Sequence, residues 1–246
     1  MLSLYFGIVG AAVGSFLCVC IDRLPSGHSI TYPPSHCPAC GHRLAARDLV
    51  PILSYLSLGG RCRYCGDAIP WRTLSVEVTT GLIFALLWRH YGMEIPFILA
   101  LVYCCFLIVI AFIDLEHQII PSRVIYPAIV VAMLGALVTP GRSIWNSLGG
   151  GLVGFGILFL IAFINPAGMG MGDVRLAAFM GLIAGFPGVL VSLLIGVVAG
   201  GLAAALLLLA GLKGRKDSIP FGPFLVLGAM VTLLYGAEIL HLYAGL

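Results

Sequence analysis

Two aspartates in apolar surroundings are the residues of this sequence best suited to chemistry. Asp114 closes the apolar stretch 98–113, and Asp173 closes the GMGMGD run of residues 168–173. A carboxylate at membrane depth is costly and usually marks a functional site. Two carboxylates held close together cannot both ionise, so one stays protonated while the other activates a water molecule. The pair therefore predicts an aspartic dyad that hydrolyses peptide bonds.

Each aspartate taken singly has a second interpretation, as an interfacial residue in a salt bridge with Arg123 or Arg175. The two together favour the dyad, because glycines stand beside Asp173. Gly170 and Gly172 permit close backbone approach and leave a path for an extended substrate. They also break the helix where a cavity can satisfy the exposed backbone groups.

Composition places the chain in a membrane. It is 61% hydrophobic and 9% charged, with a mean hydropathy of +1.10, which excludes an ordinary soluble domain. The net charge of +3 is too small to suggest nucleic-acid binding. Glycine supplies 32 of the 246 residues. Four pairs have the small-xxx-small spacing that lets apolar helices pack closely: Gly10/Gly14, Gly150/Gly154, Gly181/Gly185 and Gly196/Gly200.

The apolar stretches predict an all-α polytopic membrane protein with about eight transmembrane helices. A crossing needs ~20 mainly apolar residues, and the candidates are 1–20, 74–91, 95–113, 123–139, 144–164, 174–187, 188–211 and 221–244. No charge precedes Asp22, so the first span lacks the basic start of a cleavable signal peptide and is predicted to be a retained anchor. The chain then divides into a first helix (1–21), a polar loop (22–73) and a transmembrane core (74–246).

Basic residues orient these spans in the membrane. With the N-terminus outside, the outer side holds only Arg89 and Arg142. The inner side holds Arg23, Arg43, Arg47, Arg61, Arg63, Arg72, Arg123, Arg175, Lys213, Arg215 and Lys216. This bias predicts a multi-pass membrane protein, in contact with lipid, whose polar loop and two aspartates lie on the cytoplasmic side.

Four cysteines in the polar loop have the spacing of a zinc site. Two C-x-x-C-G knuckles are separated by 21 residues, which is close to four-thiolate zinc spacing. Two disulfides are the alternative, but they rarely persist in a reducing cytoplasm. Four thiolates leave no open coordination position, so the predicted zinc is structural. Its predicted ligands are Cys37, Cys40, Cys62 and Cys65.

The other ionisable residues have plainer interpretations. His36 and His42 flank a knuckle and are alternative ligands, although four cysteines suffice. Glu77 lies just inside the second span, where either a salt bridge to Arg72 or a binding role explains it. The remaining cysteines are predicted to be small buried hydrophobes: Cys18, Cys20, Cys104 and Cys105.

Several stretches resemble the prepilin leader peptidases of type IV pilus and type II secretion systems, which are GxGD intramembrane aspartic proteases. The resemblance covers nearly the whole chain and is carried by GSFLCVCIDRLP, CPACG, CRYCG, FIDLEHQIIP, GMGMGDVRLAAFMG and SIPFGPFL. It implies a protein of the bacterial inner membrane with Asp114 and Asp173 as the catalytic pair. It also implies prepilin or pseudopilin substrates, cut after a short basic leader at a glycine, usually before phenylalanine.

Many members of that family also N-methylate the new terminus with S-adenosylmethionine, an activity associated with the cytoplasmic loop. The resemblance implies this cofactor if methylation is retained; the residues that bind it are not identified by the motifs. The sequence departs from the family's common residues at Cys18, Asp22, Thr73 and Leu74, in or beside the loop. None of these departures touches the predicted dyad.

Two other function classes compete with the peptidase. A proton- or ion-coupled transporter also uses paired intramembrane acids, but transporters of this size often contain two related halves. The segments around 114–122 and 165–173 do not resemble each other, and the cysteine loop has no counterpart in the second half. A zinc-loop scaffold without catalysis leaves both aspartates unexplained.

Overall fold

The computed structural model describes residues 1–139, 141, 143–166, 168–214 and 219–244, with side chains described as far as residue 242. Four residues used above lie outside this range: Arg142, Arg215, Lys216 and Ser218. The described residues are helical, with no β-strand among them. The α-helices are α1 (Leu2–Arg23), α2 (Leu53–Ser57), α3 (Trp71–Tyr91), α4 (Ile95–His117), α5 (Ser122–Val138), α6 (Ile144–Ile164), α7 (Met171–Ala184), α8 (Gly188–Leu209) and α9 (Gly222–Ala244).

Helices occupy all eight predicted spans, but only five of those described are long and apolar enough to cross a membrane: α1, α4, α6, α8 and α9. The prediction of eight crossings is therefore not confirmed. The 14 residues of α7 cover ~21 Å, which is short of the ~30 Å hydrocarbon layer. The 17 residues of α5 are also fewer than the ~20 of a typical crossing. Helix α3 has 21 residues, but Arg72, Glu77 and Arg89 make it less apolar than a typical crossing.

The chain forms two compact units, Met1–Phe97 and Ile98–Leu246. In the first unit α1 packs on α3. A Cβ added at Gly10 would lie 2.8 Å from the Phe84 side chain, and one at Gly14 would lie 2.9 Å from the Glu77 Cα. These distances are too short for a side chain, so the two glycines allow the backbones to approach closely. This confirms the packing role predicted from their spacing.

In the second unit α7 is the central element. It packs on α5, α6, α8 and α9, and Leu176, Phe179 and Met180 are fully buried. Gly150 and Gly154 of α6 lie against the α7 backbone, where a Cβ on either would collide with backbone atoms. Burial against these helices explains why residues 176–184 of α7 are all apolar. The first turn of this buried helix carries Asp173.

Candidate active site and zinc centre

Asp114 lies in the last turn of α4 and is buried, with 5% of its surface exposed. Its Oδ2 accepts a hydrogen bond of 2.9 Å from the backbone N–H of Gly222, the first residue of α9. The N-terminus of a helix carries unpaired N–H groups and a partial positive charge, which attract a carboxylate. The start of α9 therefore fixes the position of the Asp114 side chain.

Gly222 is a residue of this site that the sequence analysis did not single out. A Cβ at this position would lie 2.7 Å from Asp114 Oδ2 and 3.1 Å from its Cγ. Only glycine lets the carboxylate come close enough to accept the N–H. The available signal was the Gly-Pro pair at 222–223, because proline is favoured at helix starts.

Substituting Gly222 by alanine is expected to lower peptide cleavage at least ~10-fold while the protein stays folded in the membrane. The added methyl group displaces the Asp114 carboxylate, and a small misplacement of a reacting group is enough to slow a reaction strongly. Cleavage by purified protein measures the effect. The control is Gly156→Ala in α6, where a Cβ meets no atom within 4 Å; equal cleavage by both variants would contradict a positioning role for Gly222.

Asp173 is the third residue of α7 and is half-buried. The backbone amide of Gly170 hydrogen-bonds its carboxylate, and Asp114 is near enough to act on it electrostatically. A Cβ at Gly172 would lie 2.9 Å from the Ile120 Cβ, so this glycine lets the start of α7 pack against the segment that follows α4. The two predicted site residues are thus both in the second unit, at the ends of their helices.

Arg175, one of the two salt-bridge partners considered for the aspartates, has other contacts. Its Nη1 donates a 3.1 Å hydrogen bond to Ser122 Oγ, and its guanidinium lies 5.3 Å from the centre of the Tyr126 ring. Both partners belong to α5. These contacts connect α5 to α7 two residues after Asp173, and they occupy Arg175 with partners other than the two aspartates.

A cavity of about 320 Å³ adjoins Asp173. One wall comes from α8, with Gly200, Gly201 and Ala204, and another comes from the start of α9, with Phe221 and Phe224. Apart from Asp173 the lining side chains are apolar. The cavity can therefore take an apolar side chain next to the Asp173 carboxylate.

The four predicted zinc ligands lie together in the first unit. All four Sγ atoms are within 4.8 Å of one another, and the Sγ atoms of Cys37 and Cys65 are 3.8 Å apart. Zinc–sulfur bonds of ~2.3 Å in a tetrahedron require neighbouring sulfurs ~3.8 Å apart. The arrangement fits a single zinc ion with four thiolate ligands.

The two knuckles have the same backbone geometry. The amide of Cys37 donates to the carbonyl of residue 42, and Gly41 donates back to Cys37. Cys62, residue 67 and Gly66 repeat this pattern. Gly41 and Gly66 have φ angles of 69° and 76°, which favour glycine. The two C-x-x-C-G knuckles therefore form the same turn in the structure.

Backbone amides stabilise thiolate at the first knuckle. Hydrogen bonds from the amides of Cys40 and Ala39 lower the pKa of Cys37 to about 7. At Cys65 the amide of Asp67 also lowers the pKa, but loss of hydration and hydrogen bonds among the four thiols outweigh it and raise the pKa to about 12. The Cys65 thiol therefore keeps its proton at neutral pH, and a bound zinc ion would displace it.

An ionic contact braces the second knuckle. Asp48 accepts hydrogen bonds from Arg63 Nε at 2.7 Å and from the Tyr64 hydroxyl at 2.9 Å. The Arg63 contact lowers the pKa of Asp48. The contact thus stabilises the folded protein at a pH above the pKa that Asp48 has in the unfolded chain. This stabilisation is lost as the pH falls through the pKa of Asp48 in the folded protein. His42 stacks on Tyr64 with ring centres 3.7 Å apart, and the described metal-binding cluster contains cysteines alone.

Glu77 has a partner that the sequence did not predict. Its side chain is buried and accepts a 2.7 Å hydrogen bond from the backbone N–H of Ile52 in the loop. It is also hydrogen-bonded to Ser15 of α1. The described ion pair of Arg72 is with Asp22. Glu77 thus joins α1, α3 and the loop, beside a cavity of about 780 Å³.

Comparisons with known proteins connect this geometry to an activity. Residues 8–91 match the bacterial peptidase A24 N-terminal domain, and residues 101–235 match the type IV leader peptidase family. A prepilin leader peptidase/N-methyltransferase of Bacillus subtilis (strain 168) is 32% identical over 99% of this chain and 98% of its own length. The protein of that name from Dichelobacter nodosus is 32% identical, over 97% of this chain and 93% of its own. No solved structure matches the chain.

Proposed function

Because the chain belongs to the type IV leader peptidase family, and is thus a prepilin peptidase, we propose that it removes the leader of type IV prepilins or pseudopilins with Asp114 and Asp173 as the catalytic pair. The observation that carries this proposal is the placement of the two carboxylates. Both lie at helix ends in the second unit, one held by the start of α9 and the other beside an apolar cavity.

The reaction needs two carboxylates that share one proton. The ionised carboxylate takes a proton from water, and the protonated one polarises the carbonyl of the scissile peptide bond. Asp114 acts electrostatically on Asp173, and like charges at short range favour such a mixed state. The dyad thus hydrolyses the peptide bond without a metal at the reacting atoms.

Substrate chemistry favours cleavage at the cytoplasmic face. The predicted excess of Arg and Lys on the inner side puts the ends of α4 and α7 at that boundary. A prepilin has a basic leader in the cytoplasm and an apolar helix in the bilayer, so its cleavage site meets the dyad there. The anionic member of the dyad also attracts the basic leader, with salt screening part of the effect.

The apolar cavity beside Asp173 is the proposed site for a substrate side chain next to the scissile bond. Gly201→Leu is expected to fill it, because a Cβ at Gly201 meets nothing within 4 Å and the longer side chain projects into open space. Cleavage should fall at least ~10-fold for a prepilin with a bulky apolar residue after the scissile bond, and less for one with alanine there. The reason is that the loss of room for one or two methylene groups in an apolar pocket lowers kcat/KM by about this factor.

The measurement is the rate of cleavage of both prepilins by detergent-solubilised protein. Gly156→Leu is the matched control, because Gly156 is exposed on α6 and also has no neighbour within 4 Å of an added Cβ. An equal loss for both prepilins would assign the effect to general damage and not to this cavity.

Methylation of the new N-terminus is the second proposed activity. Relatives that match almost the whole chain are named both prepilin leader peptidase and N-methyltransferase, and the first unit holds a separate cavity large enough for a cofactor. Zinc at the four cysteines organises the loop that covers this cavity. The zinc has a structural role in this proposal.

The mass of a co-expressed prepilin tests both activities at once. Loss of the leader mass is the expected result of cleavage, and a further increment of one methyl group is the expected result of methylation. A prepilin that keeps its full mass would contradict the peptidase. A shortened product is incompatible with a transporter or a scaffold acting alone.

A further inference from the structure

The polar loop between α1 and α3 contains one apolar, exposed stretch. Residues 50–58, which we call the α2 segment, include helix α2 and carry no charge. Its most exposed side chains are Leu53 at 66% and Leu56 at 61%, and Val50 is also exposed. Its opposite side lines the cavity of the first unit through three residues: Ser54, Tyr55 and Leu58. The segment therefore has an outer apolar face that no described residue covers.

The α2 segment lies beside α1 and α3 and not beyond their ends. The Ile52 N–H donates to Glu77 Oε2 over 2.7 Å, and Ser15 of α1 is hydrogen-bonded to the same carboxylate. Ser15 precedes Arg23, the last residue of α1, by ~12 Å of helix at ~1.5 Å per residue. Glu77 follows Trp71, the first residue of α3, by ~9 Å. The loop thus folds back along the sides of the two helices that it connects.

Two residues mark the membrane boundary near these helix ends. Helix α1 is long and apolar enough to cross a membrane, and Asp22 is the first charged side chain of the sequence. Trp71 is 74% exposed at the start of α3, and tryptophan is enriched at membrane–water interfaces. The α2 segment therefore lies inside this boundary, where interfacial segments bury an apolar face ~5–10 Å into the lipid.

Continuity with the lipid-facing surface of α1 indicates what covers the outer face. Phe16, the residue after Ser15, is 51% exposed. Because α1 is apolar enough to cross the membrane, its exposed side chains contact lipid. The Ser15–Glu77–Ile52 contacts place the α2 segment at the level of Phe16. Leu53 and Leu56 thus extend an apolar surface that lipid already covers on α1.

The Glu77 contact holds the α2 segment in this position despite a conformational cost. Ile52 has a φ of 63°, in the left-handed region that a β-branched residue rarely adopts. Strain of this kind persists only where surrounding contacts impose it. The depth of the segment is therefore fixed by its contacts with α1 and α3.

The backbone of the α2 segment suits contact with lipid. Unpaired N–H groups are costly away from water, so segments that contact lipid pair them internally. Four amides of the segment donate to carbonyls of the same segment at distances between 2.6 and 3.1 Å: those of Leu53, Ser54, Leu56 and Leu58. A further amide, that of Ile52, is paired with Glu77. These donors do not need water as a partner.

The charge of the loop complements an anionic lipid surface. Residues 24–70 contain four arginines and two aspartates. One of these aspartates, Asp48, pairs with Arg63. Arg47 is exposed and precedes Val50 by three positions. A basic side chain next to an inserted apolar face is attracted to anionic headgroups.

We propose that the α2 segment is a membrane-surface contact of the loop. Val50, Leu53 and Leu56 enter the boundary between headgroups and acyl chains, and Arg47 contacts anionic headgroups. In the orientation proposed above this is the cytoplasmic leaflet. Lipid then covers the outer face of the segment whose inner face lines the cavity, and so holds the cysteine loop at the membrane. This contact is independent of the two proposed activities.

Photo-crosslinking of the zinc-loaded, full-length protein tests this contact. The protein is placed in nanodiscs of phosphatidylethanolamine and phosphatidylglycerol, with benzoylphenylalanine in place of Leu53 or of Leu56. Illumination is expected to add the mass of one phospholipid at either position. Thr31 is the control position, because it is exposed in the same loop and does not line the cavity; no lipid adduct is expected there. Zinc content is measured for each variant, and a position whose variant keeps zinc is used.

Hydrogen exchange of residues 50–58 tests the role of Arg47. Their amides should exchange ~5-fold more slowly in nanodiscs that contain phosphatidylglycerol than in phosphatidylcholine alone, because one basic side chain at an anionic surface contributes about this factor. Arg47→Gln should abolish the difference. Arg89→Gln is the matched control, since Arg89 is exposed in the last turn of α3, at its other end; it should keep the difference.

Three results would overturn the proposal. The first is no lipid adduct at Leu53 or Leu56, or no more adduct there than at Thr31. The second is a probe at these positions that attaches to a second copy of the chain or to an added prepilin instead of lipid, which would assign the apolar face to a protein partner. The third is equal exchange of residues 50–58 in neutral and anionic lipid, which would contradict the headgroup contact of Arg47.

Discussion

Asp114→Asn and Asp173→Asn are each expected to abolish prepilin cleavage, with a loss of at least ~100-fold, while the protein stays folded in the membrane. An amide can neither take a proton from water nor give one to the leaving group, and general acid–base catalysis contributes ~10²–10⁴-fold. The substitution is nearly isosteric. At Asp114 the amide oxygen can still accept the Gly222 N–H that the carboxylate accepts, so the helix contact is kept.

The double variant should cleave no more slowly than either single variant. Residues that act as one catalytic unit give non-additive losses, because removal of the first already stops the reaction. The measurement is cleavage of a purified prepilin, followed by mass. Glu238→Gln is the control, since it removes one exposed carboxylate of α9 in the same unit. Near-normal cleavage by either aspartate variant would contradict the dyad.

Local sequence patterns predicted the cluster of four cysteines well because its geometry is local. Each knuckle closes through hydrogen bonds within six residues, and a glycine in the left-handed region ends each turn. The spacing C-x-x-C-G specifies these contacts without reference to the rest of the chain. Only the distance between the two knuckles depends on the loop as a whole, and the four sulfurs do lie within 4.8 Å of one another.

Contacts between distant segments were not predictable in the same way. The Gly222–Asp114 hydrogen bond joins residues 108 positions apart, and the Glu77–Ile52 bond joins residues 25 apart. The Ile52 N–H leaves no trace in the identity of its residue. The Gly-Pro pair at 222–223 indicates a helix start but does not identify the carboxylate that it holds. Glu77 was instead interpreted through Arg72, the nearest opposite charge along the chain.

The number of membrane crossings depends on a different kind of information. Hydropathy locates apolar helices, and a helix was found at each of the predicted positions. It does not separate a helix that contacts lipid from one that is buried by its neighbours. Residues 176–184 of α7 are apolar because other helices surround them. The helix, which has 14 residues, therefore resembles a short span in sequence without having the length of one.

Loss of the zinc site is expected to damage methylation more than cleavage. The prediction is one zinc per chain in the unmutated protein and none after Cys37→Ser with Cys62→Ser. Metal binding supplies much of the folding free energy of such a small site, so residues 30–70 should become disordered. Cys105→Ser is the control, because this cysteine belongs to α4 and lies outside the four-sulfur cluster; it should keep the zinc.

The reason for the unequal damage is the location of the two proposed sites. The cysteine loop forms one side of the cavity in the first unit that is large enough for a cofactor. The two aspartates and their hydrogen-bond partners belong to the second unit. Methylation should therefore disappear with the zinc, while cleavage falls only as far as the loop helps to place the leader, since a misplacement of ~1 Å can cost ~100-fold. Asp173→Asn should show the reverse, with no cleavage but methylation of a pre-cleaved pilin intact. A zinc-free variant that both cleaves and methylates at the normal rates would contradict this division, because the loop would then have no part in either site.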